Sequence, residues 1–438
     1  MTPVQIGVLG CIALILLLAS SMPVAFAMAI VGLVGFAVVV APDAALSMAT
    51  TELYDTFAKH SLTVIPLFVL MGQVAFHCGI SRRLFKAAYH WFGPLPGGLA
   101  MATVGACTAF GAICGSGPAT AATMALVALP EMKRYGYSME LACGTVASGG
   151  TLGMMIPPSV VFIVYGIMTE QSIGKLFISG ILPGLLTAAL FVLFIYVNCR
   201  RRPGYGPPAP PTAWRAKLAS LVGVSETLAI FVLVMGGMFA GFFTPTEGAA
   251  IGAFGTIVIA LVRRQLAAKM IWRALQETMR TSLMVMIIVA GAMIFGKFLA
   301  VTTIPAALAA WLGSLPLPPW MIIGLIIAFL VFAGCFVDAL AVLLLTVPIF
   351  RPIIDGLYPQ QDSMLLIWFG VIMVLVTQIG TITPPVGVCA YVVGGIERDV
   401  PLQTVFRGCI PFILALIIAT ALCVAFPQIC TWLPSLVR

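Results

Sequence analysis

Long apolar runs separated by short polar segments are the feature that most constrains this chain. Ile6–Leu18, Val24–Val40, Ile181–Val197 and Ile410–Ala425 are long enough, or nearly so, to cross a hydrocarbon core of about 30 Å. Charged residues make up only 8% of the sequence, whereas soluble domains carry about a quarter. The chain therefore cannot cover itself with a hydrated surface, and the sequence predicts an all-α polytopic membrane protein.

Short motifs recur along the chain at a nearly constant spacing. The recurring pairs, which lie 222, 227 and 228 residues apart, are Pro23 and Pro245, Gly153–Pro158 and Gly380–Pro385, and Gly180–Pro183 and Gly408–Pro411. One such pair could arise by chance, but three pairs in the same order indicate an internal repeat. The pattern predicts two repeats, residues 1–200 and 218–438, joined by a cytoplasmic linker at 201–217.

Both repeats are predicted to follow one plan. The segments of the first are helices near 5–20, 23–40 and 62–79, an amphipathic arm at 80–92, a paired short segment at 97–130, a broken crossing at 138–168 and a helix at 174–198. Those of the second are helices near 222–241, 246–262 and 281–299, an arm at 303–313, a paired segment at 318–348, a broken crossing at 365–396 and a helix at 404–426.

The paired segments are predicted to be re-entrant hairpins. Their apolar stretches Thr120–Leu129 and Ala339–Val347 are too short to span a bilayer, which favours arms that enter and leave on one face. Each repeat then makes five full crossings. An odd number of crossings inverts the second repeat relative to the first, which is the layout of many secondary transporters.

Loop charges predict the orientation. Of the 22 Lys and Arg residues, all fall in one set of loops except Lys59, Lys175, Lys297, Arg351 and Arg438. Because cytoplasmic loops are rich in basic residues, the basic set is predicted to face the cytoplasm and both termini to lie outside, in a bacterial inner membrane. This sidedness explains the net charge of +8 without nucleic-acid binding.

Four predicted breaks in helices carry the chemistry. The first half has Cys114–Thr120, which contains two glycines before Pro118, and Gly149–Ser159, which contains a Pro-Pro pair. The second half has Gly334–Asp338 and Gln378–Pro385. Prolines remove amide donors and disfavour helix in the preceding residue. Broken backbone within a membrane is tolerated only where it lines a cavity or is buried in protein.

These breaks offer the ligands that Na⁺ requires. They combine hydroxyl groups, free carbonyls at helix ends and one intramembrane carboxylate, Asp338, which needs a cation or proton partner at that depth. The helices that restart after each break direct partial positive charge into the same space, which favours an anionic substrate. The pattern predicts two cation sites, one in each repeat, beside an anion site near the midplane.

At these motifs the chain resembles the large membrane subunit of the tripartite ATP-independent periplasmic (TRAP) transporters. The segments that carry the resemblance are Gly115–Thr123, Gly150–Ser159, Ser172–Phe177, Gly180–Gly184, Thr244–Ala250, Gly334–Asp338, Leu345–Pro348 and Ile379–Gly387. They extend over nearly the whole chain. One departure is Cys114, where the family more often has serine.

The resemblance implies an elevator-type architecture of the ion-transporter superfamily, driven by a Na⁺ gradient. Scaffold helices would occupy 5–92 and 222–313, and a mobile transport domain would hold the hairpins and broken helices at 97–170 and 318–396. The implied partners are a separate small membrane subunit, a periplasmic substrate-binding protein, membrane lipid and a small organic anion of the carboxylate or sialic-acid type.

The resemblance also implies site residues. Ser116 with the Gly150–Pro157 break would form one sodium site, and Asp338 with Thr381 the other. The residues expected to hold cations are Ser116, Gly150, Thr151, Gly153, Pro157, Gly334, Asp338, Gly380, Thr381 and Thr383. Those expected to contact the substrate are Ser116, Gly117, Pro118, Thr120, Ser159 and Pro385.

Structural roles remain open for several of these residues. Asp338 could accept hydrogen bonds from amides of the hairpin tip, Ser116 could cap the following helix, and Thr381 and Thr383 could donate to carbonyls of their own helix. A stand-alone Na⁺- or H⁺-coupled carboxylate carrier is the alternative function. A channel and an intramembrane enzyme are disfavoured, the latter because the sequence offers no nucleophile–base pair and no metal motif.

Overall fold

The computed structural model describes residues 2–20, 22–265, 267–314, 316–357 and 363–436. Arg438, used above to predict the orientation, lies outside these ranges. The α-helices are α1 Pro3–Ala19, α2 Val24–Val39, α3 Pro42–Ala58, α4 Val64–His77, α5 Ile80–Phe92, α6 Gly98–Cys114, α7 Gly117–Arg134, α8 Met139–Met155, α9 Val160–Thr169, α10 Ile173–Arg201, α11 Trp214–Ser220, α12 Val222–Phe231, α13 Gly237–Phe239, α14 Pro245–Val262, α15 Ala268–Thr302, α16 Ile304–Ser314, α17 Pro319–Phe336, α18 Ala339–Leu357, α19 Ser363–Ile382, α20 Val388–Ile396, α21 Leu402–Ala425 and α22 Gln428–Ser435.

The helices confirm a multi-pass membrane protein. Within the described residues, ten helical segments are long and apolar enough to cross a membrane. Their outer faces carry exposed large apolar side chains, such as Phe254 on α14 and Phe329 and Phe332 on α17. Apolar side chains in these positions can face lipid or another membrane subunit.

The predicted plan lacked α3 and the short helices α11 and α22, and α15 is longer than predicted. The helix α3, Pro42–Ala58, contains Asp43, Glu52 and Asp55, and these charges interrupt the apolar run by which the other helices were found. The helix α15 continues without a break over 35 residues, because its polar first half stays helical before the apolar stretch predicted at 281–299.

The length argument for re-entrant hairpins was wrong for the second hairpin only. Its arm α18 has 19 residues and is long and apolar enough to cross a membrane, whereas α7, with 18 residues, is not among the described helices that are. Both helices continue beyond the short apolar stretches, through Pro130 in α7 and through Pro348 and Pro352 in α18. A re-entrant arrangement remains a prediction, supported now by where the hairpin tips pack.

The two broken crossings form the centre of the molecule. Every residue of α8 from Leu141 to Met155 is buried, and almost all of the apolar part of α19 is buried too. The hairpin helices α6 and α7 pack against α8, and α17 packs against α19. A second group of helices packs around this centre, with α2 lying along α15 and α14 along α4.

Close helix packing in this second group depends on small residues. A Cβ atom on Gly32 would lie 2.8 Å from the backbone nitrogen of Phe295, so α2 and α15 touch through their backbones. In this group, helices of the two predicted repeats therefore pack directly against each other. The repeat and domain boundaries themselves remain predictions.

Candidate functional site

The tip of the first hairpin docks against the first helix break. The helix α6 ends at Cys114 and is followed by Gly115, which has a left-handed φ of 66°. The carbonyl of Gly115 accepts a hydrogen bond of 3.2 Å from the backbone N–H of Val160. A Cβ atom on Gly115 would lie 2.5 Å from the carbonyl oxygen of Pro158. Glycine is therefore required here both by the backbone conformation and by the close approach.

The first break separates α8 from α9 at a cis Pro157–Pro158 peptide. Ser159 caps α9, with its Oγ accepting from the N–H of Phe162 at 3.4 Å and donating to the carbonyl of Met154 at 2.5 Å. Ser159 is fully buried. Its hydroxyl thus bridges the two halves of the broken helix, and the geometry gives no support to the predicted contact of Ser159 with substrate.

The second half repeats this arrangement. The helix α17 ends at Phe336, and α19 and α20 are separated by a cis Pro384–Pro385 peptide. The N–H of Val386 donates to the carbonyl of Cys335 at 3.1 Å. In both halves, an amide just after the proline pair thus holds a carbonyl of the hairpin tip.

Facing glycines join each hairpin to its broken helix. A Cβ atom on Gly111 would lie 2.8 Å from Cα of Gly153, and one on Gly380 would lie 2.5 Å from the carbonyl carbon of Gly334. Any larger residue would push the helices apart. Gly153, Gly334 and Gly380, predicted near cation sites, therefore have a packing role that the structure shows directly.

The structure brings together only part of the first predicted cation set. Gly153 lies against Ser116 and Thr120, because a Cβ atom on Gly153 would lie 2.9 Å from the Ser116 carbonyl oxygen and 2.6 Å from Thr120 Oγ1. The Thr120 hydroxyl is buried beside the Cys114 thiol and has no oxygen or nitrogen partner in the described part of the chain.

The other predicted cation ligands of the first set contact α19, pack against α7 or lie in the helix break. Thr151 Oγ1 donates to the carbonyl of Ser148 at 2.7 Å and lies 3.3 Å from Gln378 Oε1 on α19. A Cβ atom on Gly150 would lie 2.5 Å from the Cβ of Ala121. Pro157 stands in the break itself. Thr151 is therefore oriented toward the second broken helix, and its predicted role as a cation ligand lacks geometric support.

The second predicted set centres on Asp338. Its Oδ2 accepts from the N–H of Leu340 at 3.2 Å, so the carboxylate caps α18. This is the structural role, accepting a hydrogen bond from an amide of the hairpin tip, that the sequence left open for Asp338. Thr381 donates to the carbonyl of Gln378 at 2.8 Å and Thr383 to that of Ile379 at 2.6 Å. These hydroxyl donations leave the oxygen lone pairs available, so helix capping and cation binding are compatible.

Cys389 belongs to the surroundings of the second set and was missed in the sequence. It is fully buried on α20, beside the Thr381 hydroxyl and within electrostatic reach of Asp338. Because Cys389 follows shortly after the Pro-Pro pair, the sequence could have indicated that it lies near the second predicted set. Among the described residues, no group of three or more His, Cys, Asp or Glu side chains could hold a metal ion. A cation here would rely on hydroxyls, carbonyls and the single carboxylate, a ligand set for a hard alkali cation.

A cavity of about 240 Å³ lies between the two hairpin tips and the helices α4 and α15. Of the predicted substrate residues, Ser116, Gly117 and Pro118 line this cavity. Thr120 and Pro385 do not line it. Asp338, predicted as a cation ligand, also lines the cavity, from the tip of the second hairpin.

The remaining polar wall comes from residues that the sequence analysis did not identify. Gln73 on α4 and Thr281 on α15 both face the cavity. Each is a polar residue within or beside an apolar helical run, which is the one signal that could have pointed to them. The cavity is thus bounded by both predicted groups of helices, with the hairpin tips on one side and α4 and α15 on the other.

Residues 11–429 match the family model described as tripartite ATP-independent periplasmic transporter, DctM component. The C4-dicarboxylate TRAP transporter large permease protein DctM of Pseudomonas aeruginosa is 36% identical over 395 residues, which cover 90% of each chain. The sialic acid TRAP transporter large permease protein SiaM of Vibrio cholerae is 32% identical and 96% of each chain is covered.

A longer relative and one solved structure complete the comparison. The isethionate TRAP transporter permease protein DctMQ of Oleidesulfovibrio alaskensis is 35% identical over 86% of this chain, which spans 59% of the length of that protein. The crystal structure of the YdaH transporter of Alcanivorax borkumensis is similar with a TM-score of 0.58 at 17% identity, covering 87% of this chain and 88% of that one. This similarity supports the fold alone.

Proposed function

We infer that this chain, which belongs to the DctM family of tripartite ATP-independent periplasmic transporters, imports a small organic anion into the cell together with Na⁺. The partners in this proposal are a small membrane subunit and a periplasmic substrate-binding protein. The relatives are named for C4-dicarboxylates, sialic acid and isethionate. All of these are small organic acids, so the substrate is proposed from the same chemical class.

The observation that carries the proposal is the cavity between the two hairpin tips. The first turn of α7 lines it through Gly117, Pro118 and Ala119. The start of a helix offers unpaired N–H groups, here those of Gly117 and Ala119, and partial positive charge to an anion. Gln73 and Thr281 add neutral polar groups. A carboxylate or sulfonate group placed here would find hydrogen-bond donors. No Lys or Arg side chain is among the described residues that line the cavity.

The position of Asp338 explains why a cation is proposed as co-substrate. Its carboxylate lines the same cavity as the tip of α7, so an anionic substrate would meet a negative charge across a short distance. Two like charges about 5 Å apart repel by about 3 kcal/mol at an effective dielectric constant of 20. A Na⁺ ion bound at Asp338 would remove this repulsion, and anion binding and cation binding would then favour each other.

The packing of the chain supports an elevator movement. In the proposal, the hairpins and the two broken helices α8–α9 and α19–α20 move as one body against the scaffold helices. The body is held together by facing glycines and by tip-to-break hydrogen bonds, whereas its boundary with α4 and α15 contains the cavity. A boundary that contains the substrate site is where alternating access needs relative movement.

Uptake into proteoliposomes tests the proposal. This chain would be reconstituted with the small membrane subunit and the binding protein of the same transporter, with and without an inward Na⁺ gradient, and offered labelled C4-dicarboxylates, sialic acid and isethionate. Uptake that requires all three proteins and Na⁺ would support the proposal. Uptake by this chain alone would instead favour the stand-alone carrier, and uptake driven equally by a pH gradient would favour H⁺ coupling.

A further inference from the structure

A second cavity, of about 260 Å³, lies where the first turns of α8 and α21 meet the end of α10 and the segment after it. It shares no lining residue with the cavity between the hairpin tips. Next to this cavity, α8 and α21 approach each other closely at two glycines. A Cβ atom on Gly408 would lie 3.1 Å from the Cα of Gly144. All three helix ends belong to the loops predicted to face the cytoplasm.

Two arginines from separate segments line this second cavity. Arg202 follows α10, and Arg407 lies in the first turns of α21. Both are exposed, and neither forms an ion pair with a carboxylate in the described part of the chain. Two guanidinium groups at one cavity, neither of them in such an ion pair, are suited to bind a phosphate, because their planar donors match its oxygens.

The cavity is also lined by one acidic side chain and by a neutral hydrogen-bond donor. Glu140, in the first turn of α8, lies beside the phenol of Tyr205. The pKa of Tyr205 is raised above its ordinary value by burial and, to a smaller extent, by this carboxylate, so the phenol keeps its proton and remains a hydrogen-bond donor. A purely anionic ligand would be drawn to the arginines and repelled by Glu140, whereas a zwitterion could satisfy both.

One wall of the cavity is continuous with the apolar outer face of the helices. Ile410, which lines it, is 54% exposed, and Leu414, one turn further along α21, is 50% exposed. Leu193 on α10 is exposed to a similar degree. The polar end of the cavity therefore stands at the level of the basic loops, and acyl chains could continue along α10 and α21. Basic pockets between membrane helices on the cytoplasmic side are known lipid headgroup sites.

We propose that this cavity binds the headgroup of a phospholipid that carries phosphoethanolamine. The phosphate lies between Arg202 and Arg407, and the primary ammonium group pairs with Glu140. Asn198 supplies a further hydrogen bond to the phosphate or glycerol oxygens, and the Tyr205 hydroxyl, which donates to Glu140, holds that carboxylate in place. A headgroup with phosphate and ammonium in this order matches both signs of charge in the cavity, which phosphatidylglycerol does not.

The test measures lipid binding to the purified full-length chain, independently of transport. Dioctanoyl phosphatidylethanolamine, phosphatidylglycerol and phosphatidylcholine are titrated separately in detergent, and binding is followed by native mass spectrometry and by the thermal unfolding midpoint. The wild type is expected to prefer the ethanolamine lipid. Arg407→Gln is expected to weaken its binding about tenfold, as for the loss of one charge-assisted contact. Glu140→Gln should remove the preference for it over phosphatidylglycerol.

Arg201→Gln is the matched control, because Arg201 neighbours Arg202 in sequence, is equally exposed and does not line the cavity. If Arg407→Gln does not fold, judged by gel filtration, Arg202→Gln tests the phosphate contact from outside the helices. Equal binding by the wild type and a folded arginine variant would overturn the site. Equal or tighter binding of phosphatidylglycerol by the wild type would overturn the headgroup assignment. Neither result depends on whether the chain imports anions.

Discussion

Replacing Asp338 by asparagine isolates the charge that the proposed coupling needs. The substitution keeps the size of the side chain and an oxygen that can accept the hydrogen bond from the Leu340 N–H, now 3.2 Å from the carboxylate. The tip of the second hairpin should therefore keep its geometry. What disappears is the negative charge that faces the cavity shared with the α7 tip.

The size of the effect follows from the electrostatics of one ion pair. Opposite unit charges about 4 Å apart attract by about 4 kcal/mol at an effective dielectric constant of 20. Each 1.4 kcal/mol corresponds to a factor of about ten in binding, so the loss of the charge is expected to weaken Na⁺ binding by roughly a thousandfold. At sodium concentrations that saturate the wild type, the variant should then show no sodium-dependent uptake.

Two assays separate loss of coupling from loss of folding. Sodium binding to the purified chain is measured by calorimetry, and uptake is measured in proteoliposomes with both partner proteins. Asp399→Asn is the control, because Asp399 is highly exposed at the surface and its ion-pair partner Lys133 also contacts Glu397. A folded Asp338→Asn protein that binds sodium with wild-type affinity would refute the assignment of this carboxylate to a cation site, even if import itself were confirmed.

Three further predictions follow from the packing of the site and of the surface. Gly380→Ala should lower the free energy of unfolding by about 1–3 kcal/mol, the usual range for overpacking, since a Cβ atom there would lie 2.5 Å from the backbone of Gly334. The thermal unfolding midpoint measures this, and the control is the alanine variant of Gly255, a helical glycine with open space around it. Gln73→Ala should raise the substrate KM several-fold while leaving sodium affinity unchanged, because Gln73 lines the cavity from α4; an equal loss of sodium affinity would contradict this. Lys133→Ala should leave the stability almost unchanged despite contacts of 2.8 and 3.3 Å to two carboxylates, because exposed ion pairs are weak. A clear drop in the denaturation midpoint would show instead that these ion pairs stabilise the fold.

Local features of the sequence were sufficient to predict where the helices break. The Pro-Pro pairs and the Gly115 and Asp338 turns act through backbone geometry alone, so each was found at the place where the structure has it. Gln73 and Thr281 could not be assigned in this way, because they reach the cavity only through packing of α4 and α15 against the hairpin tips. Which polar residue of an apolar helix faces a cavity depends on helix rotation, and rotation is set by distant contacts.

The contact between Thr151 and Gln378 bears on how the two repeats are related. These residues lie 227 positions apart, the same spacing as Gly153 and Gly380, so they are equivalent positions of the two predicted repeats. Equivalent positions can touch only near a symmetry axis, and Thr151 Oγ1 lies 3.3 Å from Gln378 Oε1. A pseudo-two-fold axis between α8 and α19 would place the two predicted cation sets on either side of one buried interface. Both hairpin tips would then border a single cavity, so that one substrate molecule could respond to cations bound in both halves.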